Sequence, residues 1–303
     1  MSERPDSSDD SPGIQVSQRR WRAKKAARAG VAFGSWASGA LAARRLFAPG
    51  PRVRALTYHR FGEDQGDPYQ VTPSAFEAQM RWLAEQGRLV SLDDVAAFVA
   101  DRRALAADAV LVTIDDGCRS LYTHALPILR AYGVPAVAFV CAGLIGTDAT
   151  GSDHGEGFLA WDELGRLREA GVEVGSHAWS HRSLGRASRA QALDEALLSR
   201  RVLEEKLGAK VRSFAYPFGT RADFSPETDR LLEEAGYAIA FNSMHGAIRP
   251  GLAPVSLPRV KIEGGEGLHF FKLAARGAMD AWRAVDHLLW RAQQVRAETS
   301  ADR

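Results

Sequence analysis

The sequence is poor in the features that settle a protein's class at a glance. It has only 2 cysteines in 303 residues, too few for a disulfide-stapled scaffold. Cys118 and Cys141 read as two small buried side chains. The formal net charge is only +2, so the chain as a whole offers no case for nucleic-acid binding. No apolar run reaches the ~20 residues that a membrane-spanning helix needs. The uncharged stretch from Ala29 to Ala43 is shorter and rich in Gly and Ser. With 46% hydrophobic and 25% charged residues, the composition is ordinary for a globular protein and excludes a disordered or collagen-like chain. The length suits one large domain or two smaller ones.

The small net charge hides a division. Residues 1–13 carry four acids and one Arg and have too little apolar content to order themselves. Residues 14–54 carry ten Lys and Arg and no acid, which leaves residues 1–54 at +7 and the rest at −5. Such a split points to different environments or partners for the two parts. The basic run, Ala29–Ala43 and the closing Arg44-Arg45 have the layout of a signal-peptide core, with Ala40-Leu41-Ala42 as a cleavage candidate. A surface or interfacial helix is the other reading. The expected role is contact with a membrane surface and a place in the cell envelope, with the cytoplasm as the alternative. This reading divides the chain into a basic leader (1–54), a body (55–264) and a C-terminal amphipathic helix (265–303). For that last part, Phe271, Ala275, Ala278, Trp282, Val285 and Leu289 recur at spacings of three and four, which predicts one helix from Leu268 to about Arg296.

The body alternates strand and helix. Buried strands are expected at 53–58, 109–114, 135–140, 172–176, 212–217 and 237–241. Between them lie helical segments with start and stop signals. These are Thr72-Pro73, Ser91 with early acids, Ser188 with Gln191, Gly208 as a terminator, and Ser225-Pro226. Repeated β-then-α units imply an α/β fold with a parallel sheet and helices outside it, and six or more strands favour a closed or nearly closed barrel. In a barrel, chemistry collects where strands end.

The polar residues at those ends are concentrated. Asp115-Asp116-Gly117 follows one strand, Ser176-His177 with His181 follows another, Tyr216-Pro217-Phe218-Gly219 a third, and Tyr58-His59-Arg60 the first. Taken alone, Asp-Asp-Gly is most often a turn, His-x3-His a solvated or capping pair, and Tyr-Pro-Phe-Gly a loop. Their coincidence at successive strand ends carries the argument. Two adjacent carboxylates after an apolar strand need compensation, and neighbouring side chains in extended backbone point opposite ways. One carboxylate and two imidazoles make a three-ligand divalent-metal site with a position left for water. The other carboxylate is then available as a general base, and Gly117 lets the backbone turn tightly beside it.

The segments Thr113–Gly117, Ser176–His181 and Phe214–Gly219 resemble the three leading motifs of the polysaccharide deacetylase family, the NodB-homology group or carbohydrate esterase family 4. The similarity runs from about Ala55 to Ile262. Leu56-Thr57-Tyr58-His59, Trp161-Asp162-Glu163-Leu164 and Leu257-Pro258-Arg259-Val260 are similar to the branch that acts on exopolysaccharides rich in N-acetylglucosamine. The resemblance implies a distorted (β/α) barrel and hydrolysis of N-acetyl groups on an N-acetylated polysaccharide or oligosaccharide. It implies Asp115 as catalytic base and Asp116, His177 and His181 as ligands of one divalent metal, zinc first, with cobalt, nickel or iron as alternatives. The backbone N–H of Tyr216, before Pro217, is the implied oxyanion donor.

The chain departs from the better-known members in two places. An Arg of their third motif is missing from Ser213–Tyr216, and a late Leu-x-His is replaced by Leu257-Pro258-Arg259. His59 is therefore expected to supply the general acid, and Arg259 to orient Asp115. Trp161 and Trp179, with Pro217, are expected to line the sugar groove, core packing being the competing reading for Trp161. His124, His154, His245, His269 and His287 match no motif and default to surface or capping roles. Two other functions compete: a non-haem iron enzyme built on the same two-His, one-carboxylate set, and a non-catalytic glycan-binding module with this fold. The adjacent Asp115 argues against the first and the complete ligand set against the second.

Overall fold

The computed structural model describes residues 18–47, 50–63, 67–147 and 157–288. In chain order the elements are α1 (Gln18–Ala37), α2 (Ala40–Phe47), β1 (Val53–Tyr58), β2 (Arg60–Phe61), β3 (Gln70–Val71), α3 (Pro73–Glu85), α4 (Leu92–Val99), β4 (Ala109–Ile114), α5 (Leu126–Ala131), β5 (Ala136–Val140), α6 (Trp161–Glu169), β6 (Glu173–Ser176), α7 (Arg189–Leu207), β7 (Ser213–Ala215), α8 (Pro226–Glu234), β8 (Ile239–Phe241), β9 (Arg259–Lys261) and α9 (Leu268–Ala275). The start signals act as expected. Thr72 caps α3 ahead of Pro73, and Ser91, Ser188 and Ser225 close capping boxes with Asp94, Gln191 and Thr228. Gly208 ends α7 in the left-handed conformation.

Seven strands form one parallel sheet in the order β8-β7-β6-β5-β4-β1-β9. Its two edges nearly meet, because Leu257, just before β9, bridges in parallel to Phe241 of β8. The fold is thus the expected α/β fold, a distorted, nearly closed parallel barrel. Every residue of β1 and β4 is buried, as apolar strands of a parallel sheet covered on both faces must be. Alternate residues feed two apolar layers. Leu56, Val112, Ala138 and Phe214 face the outer helices. Ala55, Leu111, Phe139 and Phe241 fill the opposite face, which α4 covers with Val95 and Phe98.

Three strands were not foreseen as such: β9 and the two of the short β2–β3 pair. The single C-terminal helix expected from Leu268 to about Arg296 is interrupted. α9 stops at Ala275, Gly277 turns with φ 92°, and helix resumes over 282–288. An L-residue pays strain at that φ, whereas glycine does not. Leu289 and the rest of the expected helix lie outside the described residues. At the other end, α1 packs against α9, burying Trp21, Arg28 and Ala32. Phe33 stacks on His269 at 5.4 Å. Among the described residues no helix is long and apolar enough to cross a membrane.

Candidate metal centre and active site

The barrel delivers its chemistry by one repeated device. The first residue after a strand still donates its N–H across the sheet, and the chain then turns. Asp115 N–H donates to the Tyr58 carbonyl at 2.9 Å and His177 N–H to the Val140 carbonyl at 2.8 Å. The turns that follow are tight. Asp116, Ala178, His181 and Phe218 all have positive φ, between 60° and 75°, a conformation that costs a non-glycine residue about 1–2 kcal/mol. Gly117 has φ 81°, and a Cβ there would press within 3.1 Å of Val140. Strain of this kind concentrates where the fold over-determines a functional geometry.

Asp116, His177 and His181 converge. Asp116 Oδ1 lies 3.4 Å from His177 Nε2 and 3.5 Å from His181 Nε2, and one donor atom from each residue falls within 4.8 Å of the others. Three features suit a cation there. Asp116 Oδ1 is buried without a hydrogen-bond partner, a costly state for a carboxylate oxygen. His177 Nδ1 donates to the Ala215 carbonyl at 2.7 Å, leaving the Nε2 lone pair directed at the cluster, the outer-shell arrangement usual for metal-binding histidines. Burial, reinforced by neighbouring His177, pulls the His181 pKa down to about 4, so that its ring is neutral and ready to ligate. For His177, burial works the other way from the Asp115 and Asp116 carboxylates, and the carboxylates win, raising its pKa. Asp116 is pulled far below the usual carboxylate range despite its burial, chiefly by the nearby imidazole of His177, with those of His59 and His181 acting the same way.

Asp115 points elsewhere, as alternation requires. Arg259 grips both its oxygens, Nη1 to Oδ1 and Nη2 to Oδ2, each at 2.7 Å. Both side chains are essentially out of water. Arg259 is itself seated by Nε on the Asn242 carbonyl at 2.9 Å and lies over the Phe139 ring. Burial would raise the Asp115 pKa, but the guanidinium outweighs it and holds the carboxyl below its ordinary value. The expected Arg259–Asp115 contact is therefore present.

His59 stands at the rim, its ring edge-on to Tyr69 at 5.1 Å, with a buried Nδ1 lacking a hydrogen-bond partner. Burial lowers its pKa against the raising fields of Asp116 and Asp115. Trp179 sits in the turn between the two histidines, against Gly143. Trp161, at the start of α6, has Lys206 over its ring and Gly146 beside it. Pro217 is buried. Exposed Phe218 packs its ring on that of His181 at 4.7 Å.

Two expectations need correction. The Tyr216 N–H is already spent on the Phe241 carbonyl at 2.9 Å, because Tyr216 continues the β7–β8 pairing, and its hydroxyl donates to Asp229 at 2.7 Å. It has no donor left for an oxyanion. His245 is neither a surface nor a capping residue: it is buried, with Nδ1 on Asp286 at 2.9 Å. His154 lies outside the described residues. Cys118 and Cys141 are both buried, are not joined in a disulfide and stand outside the ligand cluster, and burial pushes their thiol pKa values up.

Sequence reading missed Glu195. From α7 its Oε2 accepts the Trp179 and Ser180 N–H groups at 2.9 and 2.8 Å, and its Oε1 accepts the Ser180 hydroxyl at 2.6 Å. It thus pins the strained turn that carries both histidines. Nothing in the pattern of α7 marks it.

Comparison with known proteins agrees with this geometry. Residues 102–240 match the family model described as "Polysaccharide deacetylase". The chain is 24% identical over 216 residues to a poly-β-1,6-N-acetyl-D-glucosamine N-deacetylase of Staphylococcus aureus (strain MRSA252), spanning 67% of this chain and 71% of that protein. The structure of IcaB from Ammonifex degensii superposes with a TM-score of 0.66 at 28% identity, covering 76% of this chain and 97% of that one. The deacetylase PplD of Streptococcus pyogenes, at 20% identity, shares the fold with the same TM-score over 74% of this chain and 97% of that one. Barrel, motif order and metal-ligand cluster all agree with the polysaccharide deacetylase family, whose model matches residues 102–240, and support a metal-dependent hydrolase.

Proposed function

We propose that this enzyme hydrolyses N-acetyl groups on an N-acetylglucosamine-containing polysaccharide of the exopolysaccharide or envelope class. The observation that carries the reading is the pairing of a complete Asp116–His177–His181 cluster with a separate, arginine-held Asp115. The likeness to an N-deacetylase of poly-β-1,6-N-acetyl-D-glucosamine supports the choice of glycan.

Asp116, His177 and His181 would hold one divalent ion, zinc being the first choice for two imidazoles and one carboxylate. Such an ion supplies Lewis acidity at a carbonyl and lowers the pKa of water. Asp115 is the general base. Kept ionised by Arg259, it takes the proton of the attacking water. As the carbonyl oxygen becomes negative it needs a donor in place of Tyr216. The Phe218 N–H fills that role: it makes no hydrogen bond to the described residues and sits on the turn against His181. His59 then delivers a proton to the departing sugar amine, giving acetate and a free amino sugar. Burial makes its imidazolium a readier donor than an ordinary one. Trp179 and Phe218 offer aromatic faces to the sugar rings.

Placement at an anionic envelope surface belongs to the same proposal. Phe33, Trp36, Leu46 and Phe47 of α1 and α2 are exposed in a segment without acids, a composition that suits an interfacial contact. The function is tested by acetate release from defined N-acetylglucosamine oligomers. No release by the metal-loaded enzyme from any of them would end the proposal.

A further inference from the structure

Helix α1 of the basic N-terminal segment holds a side chain that no surface role explains. Arg28, midway along α1, is fully buried. A guanidinium out of water is tolerated only when its donors and charge are matched. Its Nε donates to Glu266 Oε1 at 2.6 Å, and its Nη2 donates to the Lys261 carbonyl at 2.7 Å and to Glu266 Oε2 at 3.3 Å. Its Nη1 meets His245 Nε2 at 3.1 Å. Arginine can only donate, so His245 accepts there and its Nδ1–H donates to Asp286. Glu263 lies 3.8 Å from Nη1 and is also bound by Lys24. Lys25 adds a bond to the Gly265 carbonyl at 2.9 Å.

These partners flank Arg259 on both sides. Lys261 is two residues beyond it on β9. His245 follows Met244, whose carbonyl accepts the Arg259 N–H at 3.1 Å. Two residues before that, the Asn242 carbonyl accepts Arg259 Nε. One guanidinium thus cross-braces the two segments, 242–245 and 259–263, that seat the arginine holding Asp115. The same stretch reaches the strand before His59: Ile262 N–H donates to the Thr57 carbonyl at 3.0 Å, and Gly264 N–H to the Pro68 carbonyl at 2.9 Å.

We infer that Arg28 is a positioning residue for the reaction: by tying 242–245 to β9 it fixes Arg259, and through Arg259 it fixes Asp115. The helix α1 is then a working part of the catalytic unit. Its cations Lys24 and Arg28 are matched to Glu263 and Glu266 of the barrel rather than reserved for an outside surface. The inference rests on the deacetylase reading only where activity is the readout.

The test is Arg28→Lys in the full chain, which keeps the charge but cannot reach three partners at once. Zinc affinity, measured by titration, is expected to stay within about twofold, since the ligands lie on other strands. On a β-1,6-linked N-acetylglucosamine pentamer KM is expected to hold, while kcat falls about tenfold from a misplaced base. In an Arg259→Lys background the same change should lower kcat by less than about twofold further, because the effect runs through Arg259. Amide exchange over 259–262 should accelerate while 113–116 and 173–176 keep their rates. Wild-type kcat and exchange in Arg28→Lys, or losses that multiply independently with Arg259→Lys, would overturn the inference. Should Arg28→Lys not fold, Glu266→Gln, which loosens the guanidinium without removing it, is scored in the same way. If the unmutated enzyme releases no acetate, the deacetylase reading falls, and the exchange measurement alone decides for or against the brace.

Discussion

Replacing Arg259 with Met tests the geometry of the base most sharply. In the native site the two fork hydrogen bonds to Asp115 are both 2.7 Å, and the side chains are 0% and 3% exposed. Methionine fills much of the volume but leaves the carboxylate buried without a cation. Breaking a buried pair in this way costs about 3–5 kcal/mol. For a chain of this size that lowers Tm by roughly 5–8 °C. The Asp115 carboxyl can escape the cost by binding a proton. Its folded pKa now lies below the ordinary carboxylate value because of Arg259, and stability from the pair is present above the unfolded pKa and lost as pH falls through the folded one. Without Arg259, burial is opposed only by the fields of His177 and His59, and the folded pKa rises. The variant should therefore be least destabilised in acid, and its acid limb of kcat/KM should move to higher pH. Urea unfolding from pH 4 to 8, with acetate release over the same range, reads both effects. Wild-type stability together with a wild-type acid limb would refute the argument that Arg259 keeps Asp115 ionised.

Asp115→Asn should retain metal while turnover falls about 10²–10⁴-fold, the range for loss of a general base; His177→Ala should lose metal and turnover together, as metal analysis of both proteins would show. Metal affinity should fall by about tenfold per pH unit below the raised His177 pKa, where one proton competes for Nε2, and more steeply near pH 4 as His181 joins; calorimetric titration from pH 8 to 4 checks this, and a flat profile would contradict the ligand assignment. Leu46→Ser with Phe47→Ser should weaken binding to phosphatidylglycerol vesicles and spare acetate release; unchanged vesicle binding would remove the proposed surface contact.

Much of the fold could be read because its central strands are buried on both faces. VRALTY and AVLVTI are nearly continuous apolar runs, and their limits match β1 and β4 residue for residue. β9 escaped because Arg-Val-Lys has one apolar residue, and its Arg259 is buried against Asp115 rather than exposed. The metal cluster was legible because strand ends are where a parallel barrel puts its chemistry. The Tyr216 assignment failed for the same rule's finer print: a motif does not say which residue's N–H the sheet consumes. Arg28, Glu195 and His245 carry no signal at all, since their partners lie far off in sequence. The helical period from Leu268 onward was real, but periodicity does not register the turn that Gly277 makes within it.

The account rests on one cluster holding one catalytic ion, so the decisive measurement is acetate released from an N-acetylglucosamine oligomer as zinc is titrated into metal-stripped enzyme. The prediction is activity that rises to one equivalent of zinc, then levels, and is absent at every zinc level in Asp116→Asn. Acetate release that is indifferent to zinc, or that survives in Asp116→Asn, would contradict it.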